Sequence, residues 1–249
     1  PIIQHGEVDF RDPRRDKVHG RIWRVTAKGR PLVPRPKLVG AKTEELVEAL
    51  KAPEGWTRHF ARRVLQERGK DLVRTALTNS MRQMHPYKPA DEPHALEGLW
   101  TRQALDDIAP ALVVDLLKAK DPRVRAGAVR AVAQWRDRIG GPLGLLATAI
   151  ADEHPQVRLE AVRALGLVPG ARSVEIAMNA LDKPTDRFLD YGLYLTLQER
   201  KDDWLPAVEK GELTFGGDVR KLVYALQAVG SPAVAGRLAA LLRADKIPP

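Results

Sequence analysis

The feature that most constrains this chain is a segment that occurs twice. Asp121-Pro122-Arg123-Val124-Arg125-Ala126-Gly127-Ala128-Val129-Arg130-Ala131-Val132 aligns with His154-Pro155-Gln156-Val157-Arg158-Leu159-Glu160-Ala161-Val162-Arg163-Ala164-Leu165 at an offset of 33. Pro, Val, Arg, Ala, Val, Arg and Ala coincide. At an offset of 67 upstream, close to two periods, Arg58, Ala61, Arg63 and Leu65 hold the matching positions, and Val219-Arg220 opens a looser copy downstream. A period in the thirties, with two helices per unit, predicts a solenoid, because one such unit cannot bury its apolar face unless neighbours stack on it.

The local pattern agrees. Thr43 is a candidate N-cap, Glu44 and Glu45 follow where the helix dipole favours negative charge, and Leu46, Val47 and Leu50 form an apolar stripe. From Trp56 to Arg68 the apolar residues Trp56, Phe60, Ala61, Val64 and Leu65 recur at helical spacing, and Gly69 suits the position after the helix end. Further helices are expected to begin near Asp71, His94, Pro110, Pro122, Pro142, Pro155, Ala171, Thr185, Asp203, Asp218 and Ser231. Four of these starts carry Pro, which the first helical turn tolerates. The expected fold is all-α: about six helix pairs from Thr43 to Val229, then a last helix over Ser231 to Arg243.

The N-terminal end reads differently. Gly20 to Thr26 has the pattern of one β-strand, and a lone strand leaves a row of unpaired backbone groups. Pro31, Pro34 and Pro36 among Arg30, Arg35 and Lys37 then predict an extended linker. The boundary falls near residue 40, with a strand-and-linker remnant of an upstream domain over 1–40 and the solenoid over 41–249. Since the chain opens Pro1-Ile2-Ile3, with neither an initiator Met nor a leader pattern, it reads as a piece cut from a longer protein.

The D-P-x-V-R-x-x-A-V-x-A pattern at Asp121 to Ala131, and its copy at Pro155 to Ala164, resembles the second helix of HEAT repeats, which implies a right-handed α-α superhelix. A wider resemblance rests on H-G-R-I-W-R-V-T-A-K-G-R-P-L, W-T-R-H-F-A-R-R-V-L, D-E-H-P-Q-V-R-L-E-A-V-R-A-L, D-K-P-T-D-R-F-L-D-Y and F-G-G-D-V-R-K-L. These runs look like the middle of large exported planctomycete-type proteins described as membrane-bound dehydrogenases. The resemblance implies a β-propeller before the HEAT region and a c-type cytochrome domain after it, with the opening strand as the propeller's last. It further implies a location in the periplasm or cell envelope, and haem c in the parent. It places no catalytic residue, cofactor or metal in this segment, which is expected to be a non-catalytic scaffold whose concave face binds another protein.

Composition removes several chemistries. There is no cysteine, which excludes disulfides, thiolate zinc sites, iron–sulfur clusters and covalent haem attachment within these residues. The longest apolar stretch, Leu143 to Ala151, is far below the ~18 residues needed to cross a bilayer, so no membrane insertion is expected. The six histidines contain no H-x-x-x-H pair, and His85 and His94 only flank a Pro-rich loop. Gly216-Gly217-Asp218 reads as a capped helix entry rather than a phosphate loop, since no Gly-Lys-Ser/Thr follows.

The net charge of +9 raises nucleic acid or another polyanion as the alternative partner, with Trp100, Trp135 and Asp106, Asp107 or Asp137 cast as in HEAT-like DNA glycosylases. The charge map disfavours it. Residues 1–74 hold 18 Lys or Arg against 10 Asp or Glu, whereas the remainder holds 23 against 22, which gives no continuous basic groove along the repeats. Trp100 and Trp135 are instead expected at repeat junctions, with each indole N–H on a carbonyl.

The repeated arginines come in pairs five residues apart, about 140° around a helix, so the members of a pair need separate explanations. Arg58, Arg125 and Arg158 sit one turn into their helices, from where they can reach an acid of a neighbouring unit such as Asp121, Asp152 or Glu160. Arg63, Arg130 and Arg163 are expected to reach solvent. The remaining cluster is Asp186, Arg187, Asp190, Tyr191 and Tyr194. Asp186 and Asp190 share a helix face at i,i+4, and an arginine of the preceding unit, Arg158 or Arg163, is expected to bridge them. The functional alternative is a partner or ligand contact there.

Overall fold

The computed structural model describes residues 12, 13, 18, 25–82 and 88–230. The chain divides between Pro36 and Lys37 into two units. In the first, residues 25–35 are exposed and irregular, with one turn closed by the Arg30 N–H donating to the Ala27 carbonyl at 3.3 Å. The expected strand over Gly20 to Thr26 lies outside the described residues except for Val25 and Thr26, which are not in a strand.

The second unit holds twelve α-helices among its described residues: α1 (Thr43–Ala49), α2 (Gly55–Arg68), α3 (Lys70–Arg82), α4 (Glu92–Ala104), α5 (Pro110–Leu116), α6 (Pro122–Trp135), α7 (Pro142–Ile150), α8 (Pro155–Gly166), α9 (Ala171–Met178), α10 (Arg187–Glu199), α11 (Lys201–Glu209) and α12 (Val219–Val229). The helix expected from Ser231 lies outside the described residues. Local chemistry explains the starts. Pro is the first residue of α5, α6, α7 and α8, where its missing N–H is no loss. Asp121, His154, Asp186 and Asp218 each cap the following helix with a side-chain acceptor. Thr43 is not a cap. Lys42 precedes the helix, its N–H donates to the Glu45 carboxylate at 2.7 Å, and the Thr43 hydroxyl is taken by Arg68 at 3.0 Å.

The helices form an α-α solenoid. The even-numbered helices pack in a continuous row, α2 on α4, α4 on α6, α6 on α8, α8 on α10 and α10 on α12, while α7, α9 and α11 pack successively in a second layer and α1 packs on α3. The core lies between the layers. Leu99, Val129, Trp135, Leu146, Leu165, Val174, Leu193 and Trp204 belong to one buried cluster spanning α4 to α12, and Leu46, Ala61, Leu65, Val73 and Leu77 to a smaller one under α1–α3. Each fully buried leucine stabilises the fold by roughly 1.5–3 kcal/mol.

The even row is close-packed through glycine. A Cβ at Gly127 would stand 2.7 Å from Leu96 Cδ1, and one at Gly192 would stand 2.7 Å from Leu159 Cδ1. Small residues at these points of α6 and α10 let each helix approach its predecessor, and the solvent-facing side of the row is where long side chains project.

Candidate functional site

The first arginines of the repeat make one motif three times. Arg125 Nη1 donates to the carbonyls of Ala119 and Lys120, just before its own helix, while Nε and Nη2 grip both oxygens of Asp152 in the next unit at 2.7 and 2.8 Å. Arg58 Nη1 takes the carbonyls of Ala52 and Pro53, and its Nε takes Glu97 on α4 at 2.8 Å. Arg158 Nη1 takes Asp152 and Glu153, and its Nη2 takes the Pro184 carbonyl at 2.6 Å. Each arginine therefore closes the loop leading into its own helix and ties it to the following unit. A planar guanidinium with five donors suits this task, whereas an ammonium would not. Arg158 departs from the expected pattern: it is buried and its partners are three carbonyls, not an acid.

The second arginines do not all go to solvent. Arg130 pairs with Glu160 on α8, and Arg163 donates to Glu199 at 2.9 Å and to Thr196 at 3.2 Å on α10. Only Arg63 stays within its helix, on Glu67. The even row brings the next helix close enough to offer an acid on the exposed side, which the spacing along one helix could not reveal.

The even helices α4 and α10 lack the first arginine, and sequence reasoning missed what replaces it. On α4 the matching position is Ala95. The tie is made instead by Glu92, fully buried, whose carboxylate accepts the backbone N–H groups of Lys120 and Asp121 at 2.7 and 2.9 Å. On α10 the matching position is Asp190, which faces α12 and accepts the Tyr224 hydroxyl.

Asp190 opens the second feature, a ledge on α10 and α12. Neither Asp186 nor Asp190 is bridged by Arg158 or Arg163. Asp186 is turned onto the helix start, accepting from the N–H groups of Phe188 and Leu189 at 2.9 and 2.8 Å, and Asp190 accepts the Tyr224 O–H at 2.5 Å. The caps and the next helix satisfy these carboxylates, so no arginine is needed. Phe188, Tyr191 and Tyr194 are all exposed, the two tyrosine rings stack 6.2 Å apart with 19° between their planes, and the Arg187 guanidinium lies 4.7 Å from the Phe188 ring. Arg187, Asp190, Tyr191, Tyr194, Tyr224 and Gln227 line a recess of about 540 Å³. Burial, then the hydrogen bond to Asp190, pushes the Tyr224 phenol well above the ordinary tyrosine range.

Residues 95–198, from α4 to the end of α10, match the family model described as HEAT repeats. This stretch is a HEAT-repeat region. No curated protein matches the chain. The matched stretch contains the Arg125 and Arg158 ties and most of the ledge, since α10 is its last helix.

Inside the HEAT region the residues cast for base handling are placed elsewhere. Trp135 is fully buried, and its indole N–H has no acceptor, contrary to the expected carbonyl bond. Asp107 is buried between Arg74 and Arg102, Asp106 faces Arg138, and Asp137 pairs with Arg136 at 3.6 Å. Trp100 is half-buried under the Arg62 guanidinium, 5.4 Å from the ring. His85 lies outside the described residues, and among those described no three His, Asp or Glu side chains are grouped to hold a metal ion. No described helix is long and apolar enough to cross a membrane.

Proposed function

We propose that this chain is a non-catalytic HEAT-repeat scaffold whose even-helix row binds another protein through the α10–α12 ledge. HEAT repeats are helical scaffolds for protein interaction, and one observation supports the ledge as the contact. Of the large apolar side chains exposed among the described residues of the second unit, Phe188, Tyr191 and Tyr194 fall within seven residues of one helix, whereas Val39, Trp56, Leu72 and Leu167 are scattered singly. Scattered exposed apolar residues are ordinary, but clustered aromatics beside an arginine have the composition of an interface centre.

The wider setting is proposed from the family resemblance alone: a segment between a β-propeller and a c-type cytochrome domain of an exported dehydrogenase-like protein, in the periplasm or cell envelope, with haem c belonging to the parent. In that setting the solenoid spaces and orients the two flanking domains. The ledge is tested with Tyr191→Ala/Tyr194→Ala in the full parent protein. Loss of a co-purifying partner with an unchanged unfolding midpoint supports the proposal, and retention of the same partner at the same yield removes it.

A further inference from the structure

We infer that the recess between α10 and α12 receives the guanidinium or ammonium group of an arginine or lysine on an extended segment of a partner protein. The inference rests on the reading of the ledge as a protein contact and names the chemistry of what it contacts. Three tyrosines, Tyr191, Tyr194 and Tyr224, line the recess together with one carboxylate, Asp190. Aromatic faces attract cations, and arginine most often. The carboxylate is held in place: the Tyr224 hydroxyl donates to Asp190 Oδ1 at 2.5 Å and also lies 3.1 Å from the Asp190 carbonyl oxygen. That hydroxyl occupies one carboxylate oxygen, and Oδ2 has no hydrogen-bond partner among the described residues.

The other charged group lining the recess, Arg187, does not neutralise Asp190. Its guanidinium lies over the Phe188 ring and pairs with no carboxylate among the described residues. A cation entering the recess therefore finds an unneutralised carboxylate in a lining shared with three tyrosines. Gln227, exposed on the α12 side, adds an amide that can bond the backbone of the same segment. An anionic ligand would need Arg187 to leave Phe188 and would face Asp190.

The test uses the tyrosines themselves. The chain has four, three of which line the recess, with Tyr87 as internal reference. With 3-fluorotyrosine incorporated, a blocked arginine-bearing hexapeptide is titrated against the full chain and followed by fluorine NMR, beside the same peptide carrying neutral citrulline. The arginine peptide should move the Tyr191, Tyr194 and Tyr224 signals and leave Tyr87 in place, and the citrulline peptide should bind roughly tenfold more weakly. Asp190→Asn should weaken the arginine peptide by a similar factor. Tyr194→Ala, whose ring is exposed, should do so without altering the fold, and Arg187→Ala should leave binding unchanged or tighter. Equal binding of the two peptides overturns the cation inference and leaves the protein-contact reading standing. Loss of binding in Arg187→Ala but not in Asp190→Asn overturns it in favour of a carboxylate partner. If neither peptide moves the three signals, both readings fall.

Discussion

Arg125 and Asp152 meet through two parallel hydrogen bonds, Nε to Oδ2 at 2.7 Å and Nη2 to Oδ1 at 2.8 Å, across the junction between the third and fourth helix pairs. Both side chains are largely buried, and the Asp152 backbone carbonyl is at the same time a partner of Arg158, which reaches on to Pro184. Three successive units are thus joined through one loop residue.

The first prediction is that this pair is coupled. In a double-mutant cycle with Arg125→Ala and Asp152→Ala, the interaction term from urea unfolding should be about 1–3 kcal/mol, because each single change strands a largely buried charge. Arg125→Lys should recover less than half of the loss, since one ammonium cannot serve Asp152 and two carbonyls together. A term below ~0.3 kcal/mol would mean that the pair is ornamental.

Acid should act on the same joint. Burial raises the Asp152 carboxyl, but the hydrogen bond from Arg125 and the His154 backbone N–H outweigh it, so its pKa lies below the ordinary carboxylate value. A depressed folded pKa gives stability that is fully present above the unfolded value near ~3.9 and is lost as pH falls through the folded value. Unfolding midpoints measured from pH 6 to pH 2 should fall less steeply below pH 4 in Asp152→Asn than in the native chain. Parallel curves would contradict the assignment.

Glu92 is the tie that sequence periodicity does not show. Removing its carboxylate with Glu92→Ala leaves two backbone N–H groups of the α5–α6 loop without acceptors and should cost about 2–4 kcal/mol. Glu92→Gln keeps one acceptor oxygen and should cost less. Hydrogen exchange at Lys120 and Asp121 should accelerate in Glu92→Ala, and unchanged exchange would show that these amides are held otherwise.

Alkali offers an independent check of the ledge. Because the Tyr224 phenol is pushed upward by burial and by Asp190, ultraviolet titration should show one tyrosine that stays protonated above the ordinary tyrosine range near pH 10. The folded state then holds a proton that the unfolded chain has lost, so stability should fall as pH rises above that range. In Asp190→Asn the late titration should move toward the ordinary range.

Much of the helical plan is legible in the sequence. The starts at Pro110, Pro122, Pro142, Pro155 and Ala171 coincide with those of α5 to α9, because Pro at the first turn and the 33-residue repeat are local signals. What failed was lateral. That Arg130 and Arg163 find Glu160 and Glu199 depends on which helix lies beside them, information that periodicity along one helix does not contain. Glu92 was hidden because it does the arginine's task with opposite charge from a different helical position. The role of Asp186 is local and therefore legible: a Thr-Asp pair just before an apolar-periodic run is an N-cap signal, and the carboxylate follows it. The Asp190 and tyrosine cluster was visible as a group of residue types, but its partner Tyr224 lies 34 residues away on the next even helix.

The α10–α12 ledge of the even-helix row is the proposed working surface of the solenoid. Photo-crosslinking in the native host tests it most directly, with p-benzoylphenylalanine placed one position at a time at Tyr191 and Tyr194 on the ledge and at Arg172 on α9. A discrete protein adduct is expected from the two ledge positions, suppressed by Asp190→Asn, and none from Arg172. Adducts of equal yield from all three positions, or none from the ledge, would contradict it.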